Sequence, residues 1–201
     1  MQRSFLTKSS DFLTVCCNRE WKEGQEKSID LPAANEDHFE IYLQWLYTGH
    51  VVTQEDPIEK SMLEATLEER MDALTEPVST AFSLAVLAHT IGDMEFNNAL
   101  VDEVSKLGDN SDIGPGTEEM ALVYENLPQT SAWRRLLVDL WASSNVSANL
   151  FDEHEEFLPE FLCGVIAKMK NSPRGLLSSP RYKDRCSYHE HKEGYTKCTG
   201  Q

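Results

Sequence analysis

The chain has 201 residues, of which 40% are apolar, and 18 Lys and Arg against 34 Asp and Glu give it a formal net charge of −16. The apolar content suffices for the core of one main domain with helical additions, whereas a body this negative repels phosphate backbones and disfavours nucleic acid as a partner. No apolar run has the length of a signal peptide or a membrane span, so we expect a cytoplasmic or nuclear protein that binds no membrane.

The stretch that ends at Gly49 has the clearest local pattern. Ile29 and Leu31 alternate with polar residues and precede a proline, which predicts a short strand. Asn35 is a typical helix N-cap, and Gly49 can end a helix in the left-handed conformation. Between these two caps, the spacing predicts one apolar stripe along a helix, formed by Phe39, Tyr42, Leu43, Leu46 and Tyr47.

Further helices are predicted downstream of a second short strand at 50–53. Residues 54–79 are acidic and indicate an inserted linker with one marginal helix. A helix is expected from about Thr80, broken at Gly92 and followed by a helix capped by Asp93. Caps and breakers then predict helices from Thr117 to Pro128, from Ser131 onward and from Pro159 to about Lys170, and the last of these carries a predicted core stripe of Phe161, Leu162, Val165, Ile166 and Met169.

Three segments of the chain resemble a known family. The run Phe39-Glu-Ile-Tyr-Leu-Gln-Trp-Leu-Tyr-Thr-Gly resembles the core helix of BTB/POZ domains, F-x-x-x-L-x-W-[LI]-Y-T-G. The run Ser9-Ser10-Asp11-Phe12 lies where that family has its S-x-x-F helix. Residues 81–99 are similar to the paired helices that complete the domain in a variety common among filamentous fungi.

The resemblance implies an α+β, predominantly α fold. It predicts a BTB/POZ-like helical cluster with a small residual β-sheet, N-terminally truncated because the chain starts where the first helix of the family would end, followed by a C-terminal helical extension. We accordingly expect a BTB/POZ-like domain at 1–107 that contains the acidic insertion, the helical extension at 115–170, and a flexible basic tail with Cys and His residues at 171–201.

The resemblance also implies a function, that of a protein–protein interaction module. Such domains serve as ubiquitin ligase adaptors that link a cullin scaffold to a substrate, or as oligomerisation domains that form homodimers. Trp21, Lys22 and Glu23 occupy the loop where cullin-binding members have a hydrophobic residue, any residue and Glu, so Trp21 is the expected anchor. Two alternatives remain: Trp21 packs on its own domain, or the protein is a structural oligomerisation domain without a ligase role, homodimeric if the missing N-terminal part is supplied.

Catalytic motifs are scarce, and we expect no enzyme and no organic cofactor. The sequence has no Gly-rich phosphate loop with a lysine and no Ser/His/Asp arrangement. Cys16 or Cys17 with His89 is the one nucleophile–base combination to consider, but nothing in the spacing brings these residues together. A buried or half-buried structural role is the simpler interpretation of all three.

The tail differs from the body in charge and in its cysteine content. Residues 1–167 hold 10 Lys and Arg and 31 Asp and Glu, whereas residues 168–201 hold 8 and 3. Within 13 residues, the tail supplies four side chains that can form a tetrahedral zinc site: Cys186, His189, His191 and Cys198. The spacing C-x2-H-x-H-x6-C is not that of a common zinc finger, so a polar disordered tail is the alternative to a zinc-binding or nucleic-acid-binding tail on an acidic helical body.

Overall fold

The computed structural model describes residues 6–7, 9–18, 20–31, 35–52, 67–109, 115–143, 157–171, 182–191 and 198. Every regular element in these ranges is helical. The elements are α1 (Asp11–Cys16), α2 (Lys22–Glu26), α3 (Glu36–Thr48), α4 (Leu67–Ile91), α5 (Met94–Asp109), α6 (Thr117–Asn126), α7 (Ala132–Ser143), α8 (Pro159–Asn171) and a 3₁₀-helix, η1 (Tyr182–Ser187).

The expectation of an α+β fold with a residual β-sheet is wrong for the described part of the chain. Residues 28–31 and 50–52, which the alternation predicts as strands, have no regular structure. A strand is stable only when a neighbouring strand satisfies its N–H and C=O groups, and the described ranges contain no such neighbour. Alternation of apolar and polar residues was therefore not sufficient to predict a strand here.

The core lies where α4, α5 and α7 meet. α4 buries the ring of Phe82 and the side chain of Ile91, and α5 buries Leu100. Trp133 of α7 packs edge-on against Phe82, with ring centroids 5.2 Å apart, and its Nε1–H donates to Oδ1 of the buried Asn97 at 2.7 Å. Because each large apolar side chain contributes about 1.5–3 kcal/mol when it is fully buried, these helices carry much of the folding free energy.

α4 begins before the predicted position at Thr80. The helix runs from Leu67 and includes Pro77, so it covers part of the predicted insertion, while residues 53–66 lie outside the described residues. A proline inside a helix removes one N–H donor and costs about 3 kcal/mol. The run of buried side chains from Val78 to Ile91 offsets that cost, which local sequence rules do not take into account.

Several predicted helix ends are confirmed. In α3, Asn35 Oδ1 accepts from the backbone N–H of Asp37 at 2.9 Å, and Gly49 ends the helix with φ of 75°. Ser131 Oγ accepts from Trp133 N–H at the start of α7, at 3.2 Å. α8 begins at Pro159 as expected, but the predicted core residues Ile166 and Met169 lie on its exposed face, since Phe161 and Val165 already fill the contact with the core.

α3 packs on this core through one buried residue. Tyr42 is fully buried, whereas Phe39, Leu43 and Leu46 of the predicted stripe are half-buried and Tyr47 is exposed. The ring of Tyr42 lies 4.9 Å from that of Phe96, edge to face. Together these positions show that the centre of the predicted stripe is covered and its end is not.

Asp93 is the polar link between the first helices and the core. Its side chain is buried, and Oδ2 accepts from Tyr42 Oη–H at 2.9 Å and from Ser9 Oγ–H at 2.5 Å. Oδ1 caps α5 by accepting from Phe96 N–H at 2.9 Å, which confirms the predicted cap. Burial and the negative charge of Asp93 raise the pKa of Tyr42, so its phenol stays protonated and keeps donating.

Within the described part of the chain, no helix combines the length and the apolar character that a membrane crossing requires.

We predict that Tyr42→Phe lowers the free energy of unfolding by about 1.5–3 kcal/mol, because it removes a hydrogen bond to a buried carboxylate without leaving a large cavity. Urea denaturation followed by far-UV circular dichroism measures this loss. Tyr124→Phe is the matched control, since it preserves the ring that lies 4.4 Å beneath the Arg134 guanidinium. Equal stability losses in the two variants would show that the bond to Asp93 does not hold α3 in place.

Candidate functional site

Residues 182–191, here called the C-terminal segment, consist of η1 and the extended residues that follow it. α7 contacts this segment from one side: Arg135 Nη2 donates to the carbonyl of Ser187 at 3.2 Å, and Tyr188 Oη–H donates to Asp139 Oδ2 at 2.5 Å. Tyr188 is buried, and burial together with the bond to Asp139 raises the pKa of its phenol. The Arg135 and Asp139 side chains, four residues apart on α7, both bind the C-terminal segment.

α5 contacts the same segment from the other side through two residues, also four apart. The side-chain amide of Asn98 donates to the carbonyl of Glu190 and accepts from the N–H of Glu190, both at 2.8 Å. Asp102 Oδ1 lies 2.7 Å from Arg185 Nε and 2.9 Å from His189 Nε2. These contacts place the backbone between the two histidines in one defined position on α5.

The fold brings three of the four predicted metal ligands close together, two on this segment and the third, Cys198, beyond it. The ligand atoms of Cys186, His191 and Cys198 all lie within 4.8 Å of one another. Cys186 Sγ is 3.6 Å from His191 Nε2, and the backbone N–H of Cys198 donates to Cys186 Sγ at 3.2 Å. None of the five cysteines, all of which the structure describes, forms a disulfide.

His189 is adjacent to this group of three. Its Nδ1 lies 3.0 Å from Cys198 Sγ, while its Nε2 faces Asp102. A carboxylate only accepts hydrogen bonds, so Nε2 carries the proton and Nδ1 presents its lone pair toward the sulfur. Burial, followed by the hydrogen bond and the charge of nearby Cys186, raises the pKa of the Cys198 thiol.

Sequence reasoning found the four Cys and His residues but missed the side chains that position them. Asn98 and Asp102 lie more than 85 residues before their partners, at separations of 92 and 87. The one signal in the sequence was their i, i+4 spacing beside the apolar stripe of α5, which indicates a shared helix face but names no partner.

The second predicted site, Trp21-Lys22-Glu23, forms the start of α2. Trp21 is the residue before the first turn, and its side chain is 56% exposed. Lys22 lies 4.0 Å from Glu26 as an exposed ion pair, which contributes little to stability. Glu23 is half-buried, and its carbonyl accepts from the N–H of Lys27.

The helices around Trp21 form a thin layer on the core. Among the described residues up to 52, Leu13 and Tyr42 are the buried apolar side chains. Phe12 and Val15 of α1 are exposed, although both are large and apolar. Among the described residues, the exposed large apolar side chains of this layer are Phe12, Val15, Trp21, Tyr47 and Val52.

The combination of a cysteine nucleophile with His89 does not occur in this arrangement. His89 is exposed on α4, and no hydrogen bond joins it to either thiol in the described part of the chain. Burial, with smaller effects from Glu23 and Cys17, raises the pKa of the Cys16 thiol. A raised pKa lowers the thiolate fraction, which is the reverse of what activates a nucleophilic cysteine.

A cleft of about 550 Å³ lies between α6, α7, α8 and the C-terminal segment. Four of its charged groups form two ion pairs: Arg134 Nη1 lies 3.3 Å from Glu160 Oε1, and Lys168 Nζ lies 2.7 Å from Asp139 Oδ2. Both pairs connect α7 with α8 across the cleft.

Comparison of the chain with family models, with curated proteins and with solved structures gives no match. The resemblance to BTB/POZ domains therefore rests on the quoted motifs and stays a prediction.

We predict that Asn98→Ala exposes the backbone amide of Glu190 to hydrogen exchange. Each neutral hydrogen bond contributes about 1 kcal/mol, so loss of the pair should lower protection at residues 188–191 by about tenfold or more. Hydrogen–deuterium exchange with mass spectrometry measures it. Asn126→Ala is the control, because that amide bonds only to the Leu122 carbonyl of its own helix among the described contacts. Unchanged exchange in Asn98→Ala would mean that α5 does not hold this segment.

Proposed function

We propose that this protein is a protein-interaction module that recognises its partner through the surface around Trp21. The observation that carries the proposal is the exposure of this indole, 56%, at the start of a short helix on the thin N-terminal layer. Large aromatic side chains that are buried only on binding are the residues that most often dominate interface energies.

Neighbouring residues extend the apolar character of this layer. Phe12 and Val15 are three positions apart in α1, so they lie on one side of that helix, and both are exposed. The half-buried rings of Phe39 and Trp45 lie in the same layer, on α3. A partner that covered these side chains would gain hydrophobic free energy, which supports an interface in this region.

The negative net charge of the chain limits which partner surfaces are electrostatically favoured. The chain carries a net charge of −16, so a partner with an apolar groove for the indole and a neutral or basic rim is electrostatically favoured. The motif of a hydrophobic residue, any residue and Glu at positions 21–23 makes a cullin scaffold the first such partner to test. In that form of the proposal, the protein links a ubiquitin ligase to a substrate.

An oligomerisation domain without a ligase role is the second candidate. The exposed Phe12 and Val15 are compatible with it, because a second copy of the chain would cover them as well as a different protein would. Size-exclusion chromatography with light scattering separates the candidates: a dimer that Trp21→Ala converts to monomer supports self-association through this surface.

We predict that Trp21→Ala weakens partner binding by about 2 kcal/mol or more, which corresponds to roughly 30-fold in Kd, because the indole is lost as an anchor. Binding to purified cullin N-terminal domains, measured by biolayer interferometry, is the direct test. The variant should unfold at the same urea concentration as the unmodified protein, since an exposed side chain contributes little to stability.

Ile166→Ala is the matched control for this experiment. Ile166 is 64% exposed on α8, so its truncation removes a comparable exposed apolar group outside the N-terminal layer. Retained binding in Ile166→Ala and lost binding in Trp21→Ala supports the proposal. Equal binding by both variants contradicts the role of Trp21, and the absence of binding to every cullin contradicts the ligase adaptor.

A further inference from the structure

We propose that Cys186, His189, His191 and Cys198 bind one structural zinc ion, and that Asp102 of α5 orients His189 for this role. The sequence supplies the ligand types, but the new element is their placement. Three of the ligand atoms already lie within 4.8 Å of one another, and the fourth, His189 Nδ1, is 3.0 Å from Cys198 Sγ. Ligands around a tetrahedral zinc are separated by distances of this order, given Zn–S of about 2.3 Å and Zn–N of about 2.0–2.1 Å.

The donor set selects zinc among the common metals. Two thiolates and two imidazoles form the S₂N₂ set of structural zinc sites, whereas calcium and magnesium require oxygen ligands. The carboxylate of Asp102 does not compete for the metal, because its Oδ1 faces His189 Nε2 and Arg185 Nε. All four ligands come from the protein, which leaves no open position for catalysis and assigns the ion a structural role.

His189 is prepared for coordination by its two neighbours. Asp102 Oδ1 accepts a hydrogen bond from Nε2–H at 2.9 Å, and in the neutral imidazole Nδ1 then has a lone pair that faces Cys198 Sγ. Histidine ligands of zinc typically donate their second nitrogen to a carboxylate in this way, and loss of that partner costs about 10–100-fold in metal affinity. Arg185 Nε also lies 2.7 Å from Asp102 Oδ1, so a guanidinium offsets the negative charge of this carboxylate beside the site.

The proposed ion explains how a short segment is held on the surface. Among residues 185–191, whose burial the structure describes, Tyr188 is the buried side chain, so zinc would add a second anchor to this segment. Zinc would close the loop between Cys186 and Cys198, which are 12 residues apart, and would join that loop to α5 through His189 and Asp102. Metal binding and docking of the segment are therefore coupled.

Zinc content of the full chain, purified without chelator, is the first measurement. We expect about one zinc per chain by inductively coupled plasma mass spectrometry, and tetrahedral ligand-field and thiolate charge-transfer bands after substitution with Co²⁺. Cys186→Ser and His191→Ala should lose stoichiometric binding. Cys163→Ser is the matched control, since Cys163 is an exposed thiol on α8 and should retain it.

Asp102→Ala tests the positioning role, because it preserves all four ligands. We expect its zinc affinity, measured by competition with a chromophoric chelator, to fall about 10–100-fold, and Asp102→Asn, which keeps an acceptor oxygen, to fall less. Far-UV circular dichroism of each metal-free variant must match that of the unmodified protein, and if Asp102→Ala loses helix, the comparison is made with Asp102→Asn alone. This readout is independent of partner binding through Trp21.

Three outcomes would contradict the proposal, two of them the site and one the role of Asp102. If the unmodified chain binds no zinc after titration with ZnCl₂, or if Cys163→Ser loses zinc to the same extent as Cys186→Ser, the four residues do not form a specific site. If Asp102→Ala binds zinc as tightly as the unmodified chain, the positioning role of Asp102 is wrong.

Discussion

The buried carboxylate of Asp93 is the interaction on which the arrangement of the helices depends. It accepts from Ser9, from Tyr42 and from the first turn of α5, so three segments that are distant in sequence meet at one side chain. A buried charge is costly unless it is fully hydrogen-bonded, and here the bonds that satisfy it are also the ones that join α1 and α3 to the core. Ser10 adds a parallel link by donating to the carbonyl of Ile91, which ends α4. These polar contacts therefore strengthen the attachment of α1 and α3 to the core, to which the buried Leu13 and Tyr42 also contribute.

This mode of attachment is shared by the two regions that we propose to bind a partner and a zinc ion. The N-terminal layer is joined to the core by directed hydrogen bonds and by half-buried apolar side chains, whereas Phe12, Val15 and Trp21 remain exposed. The C-terminal segment is attached on the same principle, by Asn98 and Asp102 on α5 and by Arg135 and Asp139 on α7. α5 contributes to the attachment of both regions. Its N-cap, Asp93, binds the N-terminal layer, and Asn98 and Asp102 in its later turns bind the C-terminal segment. A rigid central helix is a suitable scaffold for positioning side chains at both surfaces.

Features of the fold that depend on neighbouring residues were predicted well from sequence. The caps at Asn35, Gly49 and Asp93 involve residues within a few positions of one another, so spacing and residue type sufficed. The prediction of a strand at Ile29 was wrong because a strand requires a second strand, distant in sequence, as its hydrogen-bonding partner. The predicted start of α4 was wrong because buried contacts outweigh the cost of Pro77 inside the helix. The four Cys and His residues were recognisable as ligand types, but Asn98 and Asp102 were not, since nothing local connects α5 with a segment about 90 residues later.

The paired hydrogen bonds between the Asn98 amide and the main chain of Glu190 imitate the exchange of bonds between two strands, with a side chain in place of a second backbone. Recognition of this kind ignores the identity of the residue that is held. Position 190 can consequently hold almost any amino acid except proline, which lacks the N–H. An insertion or deletion beside it would not be tolerated. The Asn98 amide therefore sets the positions of the His189 and His191 imidazoles, which flank Glu190, although it touches neither ring.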